Sequence, residues 1–495
     1  MMNANDPNAQ SLVVICGSGL AGQMCAAALS RRLPASVAIE VVPTPRDHDA
    51  DFFYGQVTGP SAYAFNLAAG VSEPDLVLRS AMSFAYGTHY ERWGDRSWHQ
   101  CHHLPLPVIG NVAFHHFLTQ TGRTQLEPFL LPAIAAARGA FAHPPERGAS
   151  PLARAEYGYQ IEPSAYAGLF ETAGGLRYDR TKALLNDVEV ASGRIASLRL
   201  SDGSVVRGDF YVDATGPQAL LLSAVGVPQE RSGRQVRGEA FRRSCERLGP
   251  PVRVVRAGGR GWTSAAHLRD GVHFLELSEE DERRSDATPD FEDLRQSCTL
   301  TLGKRTMAWR GNCVGIGHSA AVLEPITPAP IMMLERDIER VISLVPVAPE
   351  MSVEEELYNR RHRDDFENAF AFNASLYGTP HLPKGAFWAT ARDQLLPERL
   401  SAKLSAFTRR GVSVTFDHEP FNEEDWLIQH FGMGRVPERY DRFAEGAGGA
   451  RLSAQLDEMR DSIARFARTM PLHHQYMDGL ELYIRRNAET NDNDT

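Results

Sequence analysis

The run Gly17-Ser18-Gly19-Leu20-Ala21-Gly22 constrains this chain more than any other feature, because of what flanks it. Leu12–Cys16 before it is short, apolar and closed by glycines, as a buried parallel strand is. Gly22–Leu33 after it carries small and apolar residues at helical spacing, and Val37–Val42 reads as a second strand closed by Pro43 and Pro45. Strand, glycine turn, helix and strand make a βαβ unit. In such a unit Gly17 permits the tight turn, Gly19 lets the backbone approach a pyrophosphate, and Gly22 lets the helix pack closely. The helix N-terminus then offers free N–H groups and the positive end of its dipole to a dinucleotide's diphosphate. One part is missing. The acidic residue that grips ribose hydroxyls at the end of the second strand falls on Pro43, and Glu40 lies inside the strand.

Two more turns of small residues follow. Asp209–Asp213 is a strand-like run ending in Asp213-Ala214-Thr215-Gly216, which resembles the second FAD-binding element of flavin monooxygenases. Trp309–Ala321 carries a strand at Asn312–Ile316 leading into Gly317-His318-Ser319-Ala320. Small residues at a strand end would let the backbone pass close to a ribityl chain, and three such turns in this order point to FAD rather than NAD. Asp51–Asn66, rich in Gly, Ser, Tyr and Phe, reads as an ordered loop over that cofactor.

Ala153–Gly216 is strand-like with a hairpin signal at Ser201-Asp202-Gly203, and Gly261–Leu277 is strand-like again. Beyond Pro330 the chain turns helical, at Met332–Leu344, Val353–Leu376, Pro397–Ala406 and Leu452–Arg468. The fold class expected is therefore α/β: a Rossmann-like FAD-binding module with a mixed sheet and a helical C-terminal substrate-binding region. The module spans 1–345 with inserted substrate-pocket segments at about 60–150. The helical cap spans 346–486, and 487–495 is a polar, disordered tail.

Composition narrows the partners. A net charge of −10 argues against nucleic acid, since phosphate binding needs concentrated Lys and Arg. The local cluster Arg231, Arg234, Arg237, Arg242 and Arg243 reads as a solvated surface segment. Apolar runs fall short of the roughly 18–20 residues that span a bilayer. Met1–Gln10 lacks a signal-peptide layout and the 6 cysteines form no CxxC pair, so a reduced, cytoplasmic protein is expected.

At the third turn the resemblance becomes specific. The segment through Val322-Leu323-Glu324-Pro325-Ile326 resembles the stretch beside the flavin ring in the tryptophan halogenase family. Phe114-His115-His116-Phe117 resembles a family F-H-H-aromatic segment. Trp426–Tyr440, with Phe431-Gly432-Met433-Gly434 and Pro437, resembles its C-terminal G-M-G…P…Y stretch, and Met470-Pro471-Leu472-His473 its closing M-P-x-H. The resemblance covers nearly the full chain. It implies FAD, reduced by a separate flavin reductase. It also implies an aromatic substrate, free or carrier-bound, and halogenation by hypohalous acid passed down a tunnel to a lysine, with a glutamate beside it. Under it, the cofactor residues are Gly17, Gly19, Leu20, Ala21, Gly22, Gln56, Thr58, Asp213, Gly216, Gly317, Ala320 and Ile331. Phe84, Tyr86, Trp98, His102 and Phe431 are expected at the substrate.

The halogenation parts are the ones that depart from the family. Its F-K-x-G lysine falls on Ala85 in Phe84-Ala85-Tyr86-Gly87, and its glutamate falls on Thr327, which is neither acid nor base near neutral pH. The halide turn falls on Ala329 and Pro330, and proline has no N–H to offer an anion. The W-x-W-x-I-P motif is reduced to Trp262-Thr263-Ser264-Ala265-Ala266-His267, and the G-x-E-x-T strap reads Gly55-Gln56-Val57-Thr58. His99, His102, His103, His115 and His116 lack a metal-ligand spacing with Cys, Asp or Glu, so pocket lining or plain structure is expected and no metal. His267 and His318 are titratable groups near the flavin motifs, and no catalytic acid or base is named. The expectation is a flavin-dependent monooxygenase acting on an indole-like ring through a C4a-hydroperoxyflavin. A halogenase with relocated catalytic groups and a non-catalytic flavoprotein are the alternatives.

Overall fold

In the computed structural model β1 (Ser11–Cys16) pairs in parallel with β2 (Val37–Val42) on one side and with Phe210–Asp213 on the other. The structure describes residues 11–145, 150–230, 233–279, 293–345, 350–393, 398–447 and 449–493. The sheet around β1 has six strands, in the order Trp309–Arg310, Cys313–Gly315, Phe210–Asp213, β1, β2, Asp179–Arg180. All neighbours are parallel except the terminal Trp309–Arg310 hairpin. Cys16, Asp213 and Gly315 lie in register across three adjacent strands. The three small-residue turns therefore leave one edge of the sheet side by side, the carboxyl edge where open α/β sheets bind ligands.

Helix α1 (Leu20–Arg32) crosses between β1 and β2. From Leu20 to Ser30 it is buried on all sides, as expected of a helix built mostly from Ala, Leu, Met and Cys. Its small residues let it lie close to the helices Pro163–Glu171 and Ala329–Leu344. A seven-stranded sheet forms the second layer, in the order Asp293–Thr301, Gln235–Arg243, Gly271–Glu279, Gly261–Leu268, Arg253–Gly258, Gly87–Glu91, Trp98–Cys101. It is antiparallel apart from Arg253–Gly258 beside Gly87–Glu91. The fold is α/β with mixed sheets, and its hairpin at Ser201–Gly203 closes through Leu200 N–H and the Ser204 carbonyl.

The C-terminal helices, from Ser352–Ser375 to His473–Asn493, share cores with the sheets. Ile463, Ala467 and Met477 pack in the cluster around β1 and α1, while Leu376, Trp388, Leu427 and Leu452 pack with the seven-stranded sheet. The helical part begins at Ala329, before the division expected at 345/346, and no gap in the core marks that division.

Three expectations change. Asp51–Asn66 is not all loop: a 3-10 turn covers Asp51–Tyr54, and α2 (Ser61–Ala68) starts behind Pro60. The segment after 487 continues the last helix as far as Asn493, and 494–495 lie outside the described residues. The arginine cluster is solvated only in part: Arg234 is buried against Glu324, whereas Arg237 and Arg242 stay partly exposed beside Glu239 and Asp270 and Arg243 is exposed; Arg231 lies outside the described residues. Among the described residues no helix is long and apolar enough to cross a membrane.

Candidate active site

The glycines of the first turn are there for close approach. A Cβ on Gly22 would lie 1.9 Å from the Gly17 carbonyl oxygen, and one on Gly17 (φ +107°) 2.3 Å from that of Ala214. Only glycines let α1 start this near the strand end. A cavity of about 460 Å³ opens over the three turns, lined by Ala21, Asp51, Tyr54, Ala214, Gly216 and His318 among others. Of the residues expected at a cofactor, Ala21 and Gly216 face this cavity, and Ala320 and Ile331 are buried in the core beneath it.

Asp213 stands apart from its expected role. Its carboxylate accepts the N–H groups of Thr215 (3.0 Å), Leu221 (2.9 Å) and Leu222 (2.8 Å), and the hydroxyls of Thr215 (2.7 Å) and Ser319 (3.0 Å). The Leu221 and Leu222 N–H groups sit at the start of the helix Leu220–Ala224, where a helix leaves its first donors unpaired. The fully buried side chain is therefore a brace between the second and third turns.

The seat at the start of α1 is taken by the chain itself. Leu20 N–H, which would face a diphosphate oxygen, donates to both carboxylate oxygens of Asp51 at 3.1 Å. His48 Nδ1 lies 2.8 Å from Asp51, and that hydrogen bond holds its imidazole above the ordinary value. Ser18 donates its hydroxyl to Asp47 at 2.6 Å. Three residues after Asp51, the Tyr54 ring stacks on His318 with centroids 3.8 Å apart, and its oxygen accepts His318 N–H at 3.0 Å. It sits 2.2 Å from where a Gly317 Cβ would be. The turns fit a dinucleotide; with Asp51 and Tyr54 placed so, the arrangement as a whole does not. The acid-rich run Asp47–Asp51 was the available sign.

The strap residues are engaged too. Gln56 accepts the Ser264 hydroxyl at 2.6 Å, and Thr58 exchanges hydrogen bonds with the Tyr159 backbone. Ala85 is fully buried. Thr327 donates to Asn373 at 2.6 Å and accepts Ala329 N–H at 3.3 Å. At the expected halide turn, then, one N–H is used and the other position is Pro330. Arg253, fully buried, holds the turn by donating to the carbonyls of Pro325 (2.8 Å) and Ile326.

The residues expected at a substrate divide between two places. Phe84 stacks on Phe141 at 4.6 Å, and Tyr86 donates to the Ala142 carbonyl at 2.7 Å, both in the core around α1. Trp98, stacked on Tyr90 at 4.8 Å, and Phe431 belong to the other core. Phe84, Tyr86, Trp98 and Phe431 pack interior space rather than line one pocket. His102 lies between, its N–H on the Tyr86 carbonyl, and burial pushes its imidazole down to about 4. Beside it a cleft of about 660 Å³ is lined by His103, Leu104, Leu106, Phe129, Arg154 and Met459 among others. Unsignalled in sequence is a half-buried group around Phe84, where Glu73 accepts the hydroxyls of Tyr157 and Tyr159 (3.0 Å each) and pairs with His143 at 3.1 Å. Among the described residues no three His, Cys, Asp or Glu side chains gather as a metal site.

The family model for tryptophan halogenase matches residues 12–448. A 7-chloro-L-tryptophan 6-halogenase, KtzR of Kutzneria sp. (strain 744), is 23% identical over 527 aligned positions, covering 94% of this chain and 98% of the relative. Among solved structures, BrvH, a flavin-dependent halogenase from Brevundimonas sp. BAL3, superposes with a TM-score of 0.86 at 25% identity, covering 96% of this chain and 100% of that one. The tryptophan 6-halogenase SttH of Streptomyces toxytricini shares the fold, with a TM-score of 0.83 at 17% identity over 95% and 99% of the two chains. With the family model spanning most of its length, this chain belongs to the tryptophan halogenase family of flavin-dependent oxidoreductases, a membership that implies the use of FAD.

Proposed function

We propose that this chain is an FAD-dependent oxidoreductase that adds oxygen to an aromatic, indole-like substrate and does not transfer halogen. The observation that carries this reading is where the lysines are. They are Lys182, Lys304, Lys384 and Lys403. Lys182 borders the cavity at Pro43–Asp49, Lys304 is paired with Glu230 at 2.7 Å, Lys403 is buried against Glu419 at 2.6 Å, and Lys384 is exposed. No amine replaces the one lost at Ala85, so relocation of the family lysine is disfavoured. Thr327 and Pro330 remove the acid and an anion donor from the same region.

An aromatic substrate is supported by KtzR and SttH, named for halogenation of 7-chloro-L-tryptophan and of tryptophan, and by the cleft at His103 and Arg154, whose walls are mostly apolar with one cation. In this reading FAD lies over the turns of Gly17–Gly22, Gly216 and Gly317, with Gln56 and Thr58 as its strap. Dioxygen is the oxygen source, and a separate reductase supplies the reducing equivalents. The test is incubation of the full chain with FAD, a flavin reductase, NADH and a panel of indoles, with and without bromide. A product heavier by one oxygen, indifferent to bromide, is expected. A brominated product overturns the reading. The Asp51 carboxylate in the cofactor seat favours a second reading, a protein that keeps its flavin site closed, and a stably folded chain that carries no flavin after mild purification would support it.

A further inference from the structure

The segment Thr44–Tyr54 is a thin wall. On one side lies the cavity of about 460 Å³ over the three turns; on the other a cavity of about 610 Å³ opens beside Ser18, Pro43 and Lys182. Thr44, Pro45, Arg46, Asp47 and Asp49 border both. The wall is fastened near its C-terminal end, at Asp51 and Tyr54, to the turns a dinucleotide would need. Asp51, 4% exposed, holds Leu20 N–H with both oxygens, and a Cβ at Gly19 would meet Asp51 Oδ1 at 2.9 Å and the Asp47 carbonyl at 2.3 Å. Tyr54 is stacked on His318 over the third turn. Nearer its start, Asp47 accepts Ser18 Oγ–H (2.6 Å) and Thr44 N–H (2.9 Å).

A carboxylate on the first N–H of a helix satisfies the donor and the dipole that bind phosphate in such folds. One N–H cannot serve Asp51 and a diphosphate oxygen together, and the two anions would repel each other in a buried seat. We propose that Thr44–Tyr54 is an intrinsic plug, with the Asp51 carboxylate in the place of the cofactor's diphosphate. A flavin dinucleotide enters when this segment swings out and the two cavities merge. This rests on the reading above that the cofactor is FAD. The closed state lowers the apparent affinity by the fraction of chains that are open, so weakening the plug raises it.

The experiment is titration of the full chain with FAD, followed by flavin fluorescence, for the wild type, Asp51→Ala and Asp51→Asn. Asp51→Ala is expected to bind FAD about tenfold tighter or more, with Asp51→Asn between the two. ADP, which carries the diphosphate, should show the same gain, and riboflavin, which does not, should show none. Equal or weaker binding by Asp51→Ala overturns the plug. Wild-type hydrogen exchange gives a readout that needs no variant: on addition of FAD, amides of 44–54 should lose protection. If they gain protection in place, the segment is a wall of the occupied site and the plug is overturned. The two readings separate. Tight wild-type binding with no gain in Asp51→Ala removes the plug and leaves the flavoenzyme; no binding by any of the three proteins removes both. Binding by Asp51→Ala alone keeps the plug and makes the resting wild type inactive.

Discussion

Trp262 donates its indole N–H to Oε1 of Glu324 across 2.6 Å, in the interior of the protein. Trp262 is the second residue of the strand that stands where the family has W-x-W-x-I-P, and Glu324 opens the Glu-Pro turn after the third small-residue motif. The same carboxylate accepts the Tyr377 hydroxyl and pairs with Arg234, whose guanidinium lies over the Phe387 ring at 4.6 Å. One buried anion therefore joins the flavin-side turn, the seven-stranded sheet and the C-terminal helices.

Removing either partner of this group should cost different amounts. Glu324→Ala leaves Arg234 buried without its anion and should destabilise the fold by about 3–5 kcal/mol. Trp262→Phe keeps the ion pair and loses one charge-assisted hydrogen bond, so about 1.5–3 kcal/mol is expected. Urea unfolding of both variants checks the order. A Trp262→Phe loss as large as that of Glu324→Ala would mean that packing of the indole, not the carboxylate, holds the turn.

Ala85→Lys should not restore halogenation. The site is fully buried, and the acid that stands near the lysine in the family is here Thr327, bonded to Asn373. A lysine introduced there carries an unpaired charge into the interior, and a loss of about 3 kcal/mol or more is expected. Thermal melting reads the stability, and product mass in bromide reads the chemistry. Brominated product from the single variant would show that the amine was the sole missing part.

What could be read in the sequence is what the backbone needs. Gly17, Gly19 and Gly22 are glycines because a side chain there would strike Ala214, Asp47 or Gly17, and a close approach of that kind leaves its mark in residue type. β2 and the helical segments were legible through their apolar spacing. The occupation of the seat by Asp51 was not, because it joins residues 31 apart through an irregular loop, and neither periodicity nor turn chemistry reports where a loop's side chains land. The aromatic pocket failed for a related reason. Phe84 and Trp98 are close in sequence and aromatic, yet the bend at Gly87 (φ +140°) and the strand that follows send them into different cores.

Gly432, in the family-like Gly-Met-Gly stretch, is a packing device. A Cβ there would fall 2.1 Å from the Trp98 ring, which is itself buried. Gly432→Ala has no room without displacing Trp98 from its stack on Tyr90, so a loss of about 1–3 kcal/mol is expected despite alanine's better helix propensity. Chemical denaturation gives the loss, and a change in tryptophan emission locates it. Unchanged stability and emission would mean that the helix Glu423–Gly432 can slide away from the strand Trp98–Cys101.

Glu335 should make the protein less stable as pH rises through the neutral range. It lies inside the helix Ala329–Leu344, 4% exposed, where Ser61 of α2 donates to it at 2.6 Å. Burial pushes its carboxyl from an ordinary 4.5 up to about 7. The unfolded chain gives up this proton near 4.5 and the folded chain only near 7, so between those values the folded state holds more protons. Stability from this group is complete below about pH 4.5, falls as pH rises to about 7 and is flat beyond, a total on the order of 3 kcal/mol at 1.36 kcal/mol per unit. Glu335→Gln keeps an acceptor for Ser61 and has no proton to lose. Asp425 and other buried carboxyls titrate in both proteins, so the difference between wild type and variant isolates Glu335. Urea midpoints measured from about pH 5 to pH 8 should show the variant gaining on the wild type up to about pH 7 and the gap holding steady above it. Curves that stay parallel throughout would place an ionised Glu335 in the folded protein across the whole range.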